Sequence, residues 1–260
     1  MQKSTVGRLV VLAITLLLVA VAITVGVVLT KMSEAKDNKI EEFNTTFNEA
    51  ILPPRLKWLN EPHKVELKTK DGAGIRIFPD DKTDFWQKTY YPNNMRNNNG
   101  HMLAMEIPVD SNVMAETHFN LEPVHQFDQA GLMLRLDDEH WIKTGIEVVD
   151  GAPKLSCVVT NVYSDWSTTE WPTNNLTIRL YKLDSDIVVE HLTPNKDTGK
   201  WEFMRIARLR TDDTPHLKTC TLGLFACAPT KSDFSVVFDY LSIKNSKGFH
   251  HGTEETTEAP

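Results

Sequence analysis

The sequence has no block of lysine and arginine interleaved with aromatics, so it lacks the electrostatic footprint of nucleic-acid binding, and no nucleic-acid partner is expected. Cysteine is scarce. Three in 260 residues, an odd number, do not make a disulfide framework. No long amphipathic helical pattern falls between Leu56 and Lys244, which argues against a bundle or a series of βαβ units. No strand-like run carries alternating carboxylates of the Glu-x-Asp-x-Glu kind. A two-carboxylate glycosidase needs its acid and its nucleophile roughly 5–10 Å apart. No cofactor and no metal ligand set are expected. The net charge of -7 speaks for solubility and says little about substrate.

One long apolar run is present. Residues 9–30, LVVLAITLLLVAVAITVGVVLT, contain no charge and are long enough to cross a bilayer core of roughly 30 Å. A cleaved signal peptide has a shorter apolar region, about 7–15 residues. Ala20-Val21-Ala22 resembles a cleavage site, but cutting there would leave ITVGVVLT at the new terminus. An uncleaved signal-anchor is the expectation, preceded by a short tail over residues 1–8. Lysine and arginine flank it on both sides, so charge hardly sets its orientation. The sequons Asn44-Thr45-Thr46 and Asn175-Leu176-Thr177 favour a lumenal or extracellular C-terminal domain, a type II single-pass arrangement.

Residues 31–51 read as a stalk, with Ile40, Phe43 and Phe47 at helix-like spacing. Pro53-Pro54 marks a boundary. Over residues 52–245, short apolar or alternating runs such as GLMLRL, WIKTGIEVV, KLSCVVT and TLGLFAC are separated by Gly, Asp, Asn and Pro clusters. That pattern predicts an all-β sandwich. Residues 246–260 are polar, rich in Thr and Glu, and expected to be disordered.

The stretch LRLDDEHWIKTGIEVVDG, Leu134 to Gly151, holds Asp137, Asp138, Glu139 and His140 in succession. A three-residue turn over Asp137–Glu139 sets Arg135 opposite Trp141 and gives one consistently apolar face: Leu132, Leu134, Leu136, Ile142, Ile146 and Val148. Slipping by one residue mixes the two faces. Asp150-Gly151 is a strong two-residue hairpin signal and sets Glu147 opposite Lys154 and Thr144 opposite Cys157. The acidic run is therefore read as a turn; calcium would need six or more oxygens. Arg135, Trp141, Lys143, Glu147 and Lys154 share the other face, either a solvated sheet surface or a binding face with Trp141 as stacking area. Glu147 is the weak candidate for an acid/base group. Cys220 and Cys227 lie on one strand, roughly 23 Å apart at 3.3 Å per residue and on opposite faces. Buried free thiols are expected, with a pairing of Cys157 left open.

Asp128 to Ser167, DQAGLMLRLDDEHWIKTGIEVVDGAPKLSCVVTNVYSDWS, resembles the core block of a family of uncharacterised proteins that includes the fungal enolase-regulation protein. That family belongs to the concanavalin A-like lectin/glucanase superfamily. TDFWQKTYY (Thr83–Tyr91), NNNGH (Asn97–His101) and LGLFACAPT (Leu222–Thr230) are similar to its flanking blocks. The resemblance implies a jelly-roll sandwich of two curved antiparallel sheets, whose concave sheet in that superfamily usually holds sugars or forms a glycosidase cleft. It implies no defined activity. Carried over by position, it gives a candidate ligand surface of Trp86, Tyr91, Asn99, His101, Arg135, Trp141, Lys143, Glu147, Asp165 and Trp166. Asp84, Gly100 and Ser164 lie beside these, and Phe85 is expected to be a packing residue. Three functions follow: a membrane-anchored carbohydrate-binding module, a protein-interaction scaffold, and a glycoside hydrolase.

Overall fold

The computed structural model describes residues 38–70, 72–90, 94–194, 199–209 and 216–251. The expected membrane anchor over residues 9–30 and the first part of the stalk lie outside them. In chain order the strands are β1 (Phe43–Thr45), β2 (Lys57–Leu59), β3 (Lys64–Lys70), β4 (Ala73–Phe78), β5 (Phe85–Gln87), β6 (Arg96–Asn98), β7 (His101–Pro108), β8 (Val113–Glu122) and β9 (Gln129–Arg135). They continue as β10 (His140–Val149), β11 (Ala152–Asn161), β12 (Tyr163–Glu170), β13 (Asn175–Leu183), β14 (Asp186–Leu192), β15 (Trp201–Arg208), β16 (Thr219–Cys227), β17 (Ser235–Phe238) and β18 (Leu241–Asn245). The described part of the chain is all-β. A nine-stranded sheet runs β15-β14-β13-β8-β17-β4-β3, with β18 on β8 and β1 on β18. A seven-stranded sheet runs β12-β11-β10-β9-β16-β7-β2, and β5-β6 form a separate ribbon.

The two large sheets face each other across a core that includes Leu103, Ile107, Phe119, Leu132, Ile142, Ile146, Leu180, Leu224 and Phe238. Their strands pair antiparallel, which suits consecutive strands joined by short turns. The register of the central meander is the expected one: Arg135 pairs Trp141, Glu147 pairs Lys154 and Thr144 pairs Cys157. Its second turn has positive φ at both Asp150 (53°) and Gly151 (79°), the backbone that a two-residue hairpin matched to strand twist requires.

Two expectations need correction. The helix-like spacing of Ile40, Phe43 and Phe47 does not form a helix. Residues 43–45 pair with β18, burying Phe43 and Phe47 in the main core, and Asn245 Nδ2 donates to the Ile40 carbonyl at 3.0 Å. A four-residue spacing of two aromatics is equally well served by an extended segment that bends between them. The polar tail, expected from residue 246, instead lays residues 246–251 over the nine-stranded sheet, with the Phe249 ring 5.5 Å from Tyr181. Of the two readings left open for the charged face of the meander, the solvated one does not hold over Trp141, Lys143 and Glu147, which are buried where a second apolar cluster covers the sheet.

Candidate functional site

That second cluster lies on the outer face of the seven-stranded sheet. It joins Met102, Ala104, Met133, Trp141, Val158, Phe225 and Cys227 from the sheet to Phe85 and Trp86 from the β5-β6 ribbon. The sheet is therefore apolar on both sides, which is why β10 is buried at nine of its ten positions. The alternation of strand side chains puts Trp141, Lys143 and Glu147 on this outer face. Trp141 is 1 % exposed. Phe85 is a packing residue, as expected, with its ring 6.2 Å from that of Trp141.

Burying Lys143 and Glu147 demands partners, since an isolated buried charge is far costlier than a paired one. Lys143 Nζ donates to Asp84 Oδ1 at 2.6 Å, and the same oxygen accepts from Gln129 Nε2 at 3.3 Å and from the Phe85 amide at 2.8 Å. Burial opposes the Lys143 charge, yet the Asp84 carboxylate holds the ammonium above its ordinary range. Glu147 is 6 % exposed and accepts from Ser156 Oγ at 2.6 Å. With Lys143 already bonded to Asp84, ionising Glu147 sets a second buried carboxylate against one ammonium. Burial accordingly pushes its carboxyl up to about 7, against the opposing pull of Lys143.

The three tryptophans share this face but not its exposure. Trp141 and Trp86 are buried, with their indole N–H groups donating to the Asp138 carbonyl (3.2 Å) and the Thr89 carbonyl (2.5 Å). Trp166 is 37 % exposed. Its Nε1 donates to Ser156 Oγ at 3.0 Å, so Ser156 links the half-open indole to buried Glu147. Trp86 and Phe127 stand edge-on to Trp166 at 6.4 and 6.3 Å. Beyond the ribbon, this end of the face presents Trp166, exposed Thr168 and the Lys154–Glu170 ion pair. Asp165, exposed on the opposite face of β12, meets Arg205 at 3.4 Å.

The remaining candidates hold the site together. Asn99 Oδ1 accepts from the Asp84 amide at 3.0 Å, and the Asn99 and Gly100 amides both donate to the Asp84 carbonyl. A Cβ on Gly100 would lie 2.5 Å from Phe85 Cε2, so only glycine leaves room for that ring. His101 is bonded at both nitrogens: Nε2 accepts from the Asp80 amide at 3.0 Å, while Nδ1 donates to the Asn60 carbonyl at 2.6 Å. It is a structural histidine. Arg135 turns back to Asp138 of the acidic turn, where Asp137 bonds His140 and Glu139 meets Lys88. The Leu136 amide donates to the His140 carbonyl at 2.9 Å, closing the three-residue turn. Each acidic side chain there has a local partner. Tyr91 lies outside the described residues. Ser156 and Phe127 went unnoticed in the sequence, although the Gly145–Ser156 pairing already puts Ser156 on the outer face.

The model of a family described as "Protein of unknown function (DUF1349)" matches residues 58–246. The chain is 33 % identical over 186 residues to "Regulation of enolase protein 1" of Saccharomyces cerevisiae, covering 72 % of this chain and 87 % of that protein. A crystal structure of a functionally unknown protein from Saccharomyces cerevisiae is similar with a TM-score of 0.64 at 31 % identity, covering 75 % of this chain and 98 % of that one. A xylan beta-1,4-xylosidase from Bacillus halodurans C-125 shares the fold alone. Its TM-score is 0.61 at 12 % identity, and the match covers 80 % of this chain but 40 % of the xylosidase. By the extent of its match, the chain belongs to the family of proteins of unknown function named DUF1349.

Proposed function

We propose that this chain is a binding module for neutral saccharides, carried on a membrane by residues 9–30, and that its ligand rests on Trp166. The observation that carries the reading is the Trp166 indole. It is half exposed at the end of an otherwise sealed aromatic face, its orientation is fixed through Ser156, and Thr168 and the Lys154–Glu170 pair lie beside it. An aromatic ring flanked by groups that donate and accept hydrogen bonds suits the apolar face and the hydroxyls of a sugar ring. The wider platform of three tryptophans narrows to one, because Trp86 and Trp141 are buried. Hydrolysis is the weaker reading: Glu147 is buried and already hydrogen-bonded to Ser156, so it is not presented to a glycosidic oxygen at the surface. The two sequon asparagines, Asn44 and Asn175, are exposed and open to a lumenal or extracellular glycan.

Applying the full-length chain in detergent to an array of neutral oligosaccharides tests the reading. Binding lost in Trp166→Ala supports it. A blank array excludes it and leaves the protein-interaction scaffold. A mobility shift on glycosidase treatment, absent in the Asn44→Gln/Asn175→Gln double variant, tests the membrane side.

A further inference from the structure

The outer face of the nine-stranded sheet carries an aromatic groove unrelated to Trp166. Two adjoining cavities, of about 780 and 360 Å³, share Glu190, Trp201 and Phe249 as lining. Their sizes fall in the range of small-ligand sites, roughly 300–1,000 Å³. The larger extends over Met114, Arg179 and Tyr181, and the smaller over Lys200, Phe203 and His251.

The floor is preorganised. Arg179 lies over the Trp201 ring at 3.6 Å, and its Nε donates to Glu116 Oε2 at 2.7 Å. The Tyr240 hydroxyl donates to the other Glu116 oxygen at 2.7 Å. The far wall is the segment that follows β18. Its Phe249 ring stands 5.5 Å from Tyr181 and 6.3 Å from Phe203, and the His251 ring is 4.9 Å from both Phe203 and Phe249. Phe203 remains 43 % exposed, an apolar surface that a ligand would cover.

Charge and topology limit what can fit. Arg179, Lys200 and Lys247 are matched by Glu116, Glu190 and Glu202, so the groove favours neither an anion nor a cation. An extended peptide gains its affinity by pairing backbone groups at a sheet edge. Here the groove crosses the face of β13, β14 and β15; the β13 and β14 backbones pair on both sides, β15 is the edge strand, and the lining is made by side chains on the face of the sheet and by the segment after β18. What remains on offer is aromatic surface bordered by carboxylate, ammonium and guanidinium groups, which suits a neutral ligand with apolar ring faces and a rim of hydroxyls. The geometry points to a second saccharide site, a groove for an unbranched neutral oligosaccharide running past Trp201 and Phe249. It is independent of the proposal for Trp166, on the opposite sheet.

The test is calorimetric titration of the full-length chain with β-1,4-xylohexaose, cellohexaose and laminarihexaose, in the Trp166→Ala background so that the other sheet is silenced. At least one hexasaccharide is expected to bind, with affinity reduced about tenfold or more by Phe249→Ala and by Trp201→Ala. Trp201→Phe, which keeps a stacking ring, is expected to retain most of it. Phe249 follows the last strand, so its truncation leaves the sandwich intact, as an unchanged unfolding midpoint would verify. Absence of hexasaccharide binding, binding indifferent to Phe249→Ala, or tighter binding of a neutral Ser/Gly decapeptide would each overturn the inference.

Discussion

Lys143 and Asp84 form an ion pair at 2.6 Å with side chains only 3 % and 9 % exposed, inside an apolar cluster on the outer face of a sheet. The pair pins the β5-β6 ribbon to the strand beneath it, and so decides how much of that face is open. Removing one member leaves the other charged and buried. Lys143→Met is therefore expected to cost about 3–5 kcal/mol, as is Asp84→Asn. The double variant is expected to cost clearly less than the sum. Urea unfolding of the four proteins measures this, and strict additivity would contradict the pairing.

The raised Glu147 carboxyl makes stability depend on pH. An ordinary glutamate loses its proton near 4.5, and Glu147 in the folded chain does so at about 7. The folded state holds a proton that the unfolded state has released, so the stabilisation is complete at the acid end. It declines as pH rises from about 4.5 through 7, by up to an order of 3 kcal/mol. Glu147→Gln does not titrate. Its unfolding free energy relative to the native protein should therefore rise between pH 5 and pH 8; a constant difference would place the carboxyl in an ordinary environment.

Gly100 gives a steric prediction. In Gly100→Ala the new methyl would meet Phe85 Cε2 at 2.5 Å and Cys227 Sγ at 2.6 Å. Overpacking of this kind costs about 1–3 kcal/mol. Adding Phe85→Leu is expected to recover part of the loss in a thermal melt, whereas no recovery would locate the strain elsewhere.

All three cysteines are free and buried. Burial pushes the Cys157 thiol up to about 12 and Cys220 up to about 11, and raises Cys227 as well. Iodoacetamide at pH 7.5 is expected to leave all three unmodified in the native protein and to label all three in urea, since the thiolate is the reacting species. Fast labelling of native Cys157 would contradict its place in the main core.

What could be read from sequence was local. The turn over Asp137–Glu139 and the Asp150-Gly151 hairpin fix three strands through turn chemistry and alternation alone, and Arg135–Trp141, Glu147–Lys154 and Thr144–Cys157 pair accordingly. The closure of the outer face was not readable, because the group that neutralises Lys143 lies 59 residues earlier in the chain. Without that partner, charged residues alternating with apolar ones look like a wet surface. Phe43 and Phe47 misled in the same way: the strand that pairs with residues 43–45 begins at Leu241, almost 200 residues later in the chain. The site residues Asn99 and His101 were found for their motif, and they serve Asp84 and the Asn60–Asp80 loops instead of a ligand.

The saccharide reading rests on Trp166 being open while Trp86 and Trp141 are sealed. The indole N–H spectrum of the ¹⁵N-tryptophan-labelled full-length chain tests this most directly, with the Trp166 resonance assigned by its absence in Trp166→Phe. Titrated with the neutral oligosaccharide that binds best on the array, the Trp166 signal is expected to move progressively while those of Trp86 and Trp141 stay in place. A Trp166 signal unmoved at saturation, or movement of Trp86 and Trp141 without it, would contradict the proposed site.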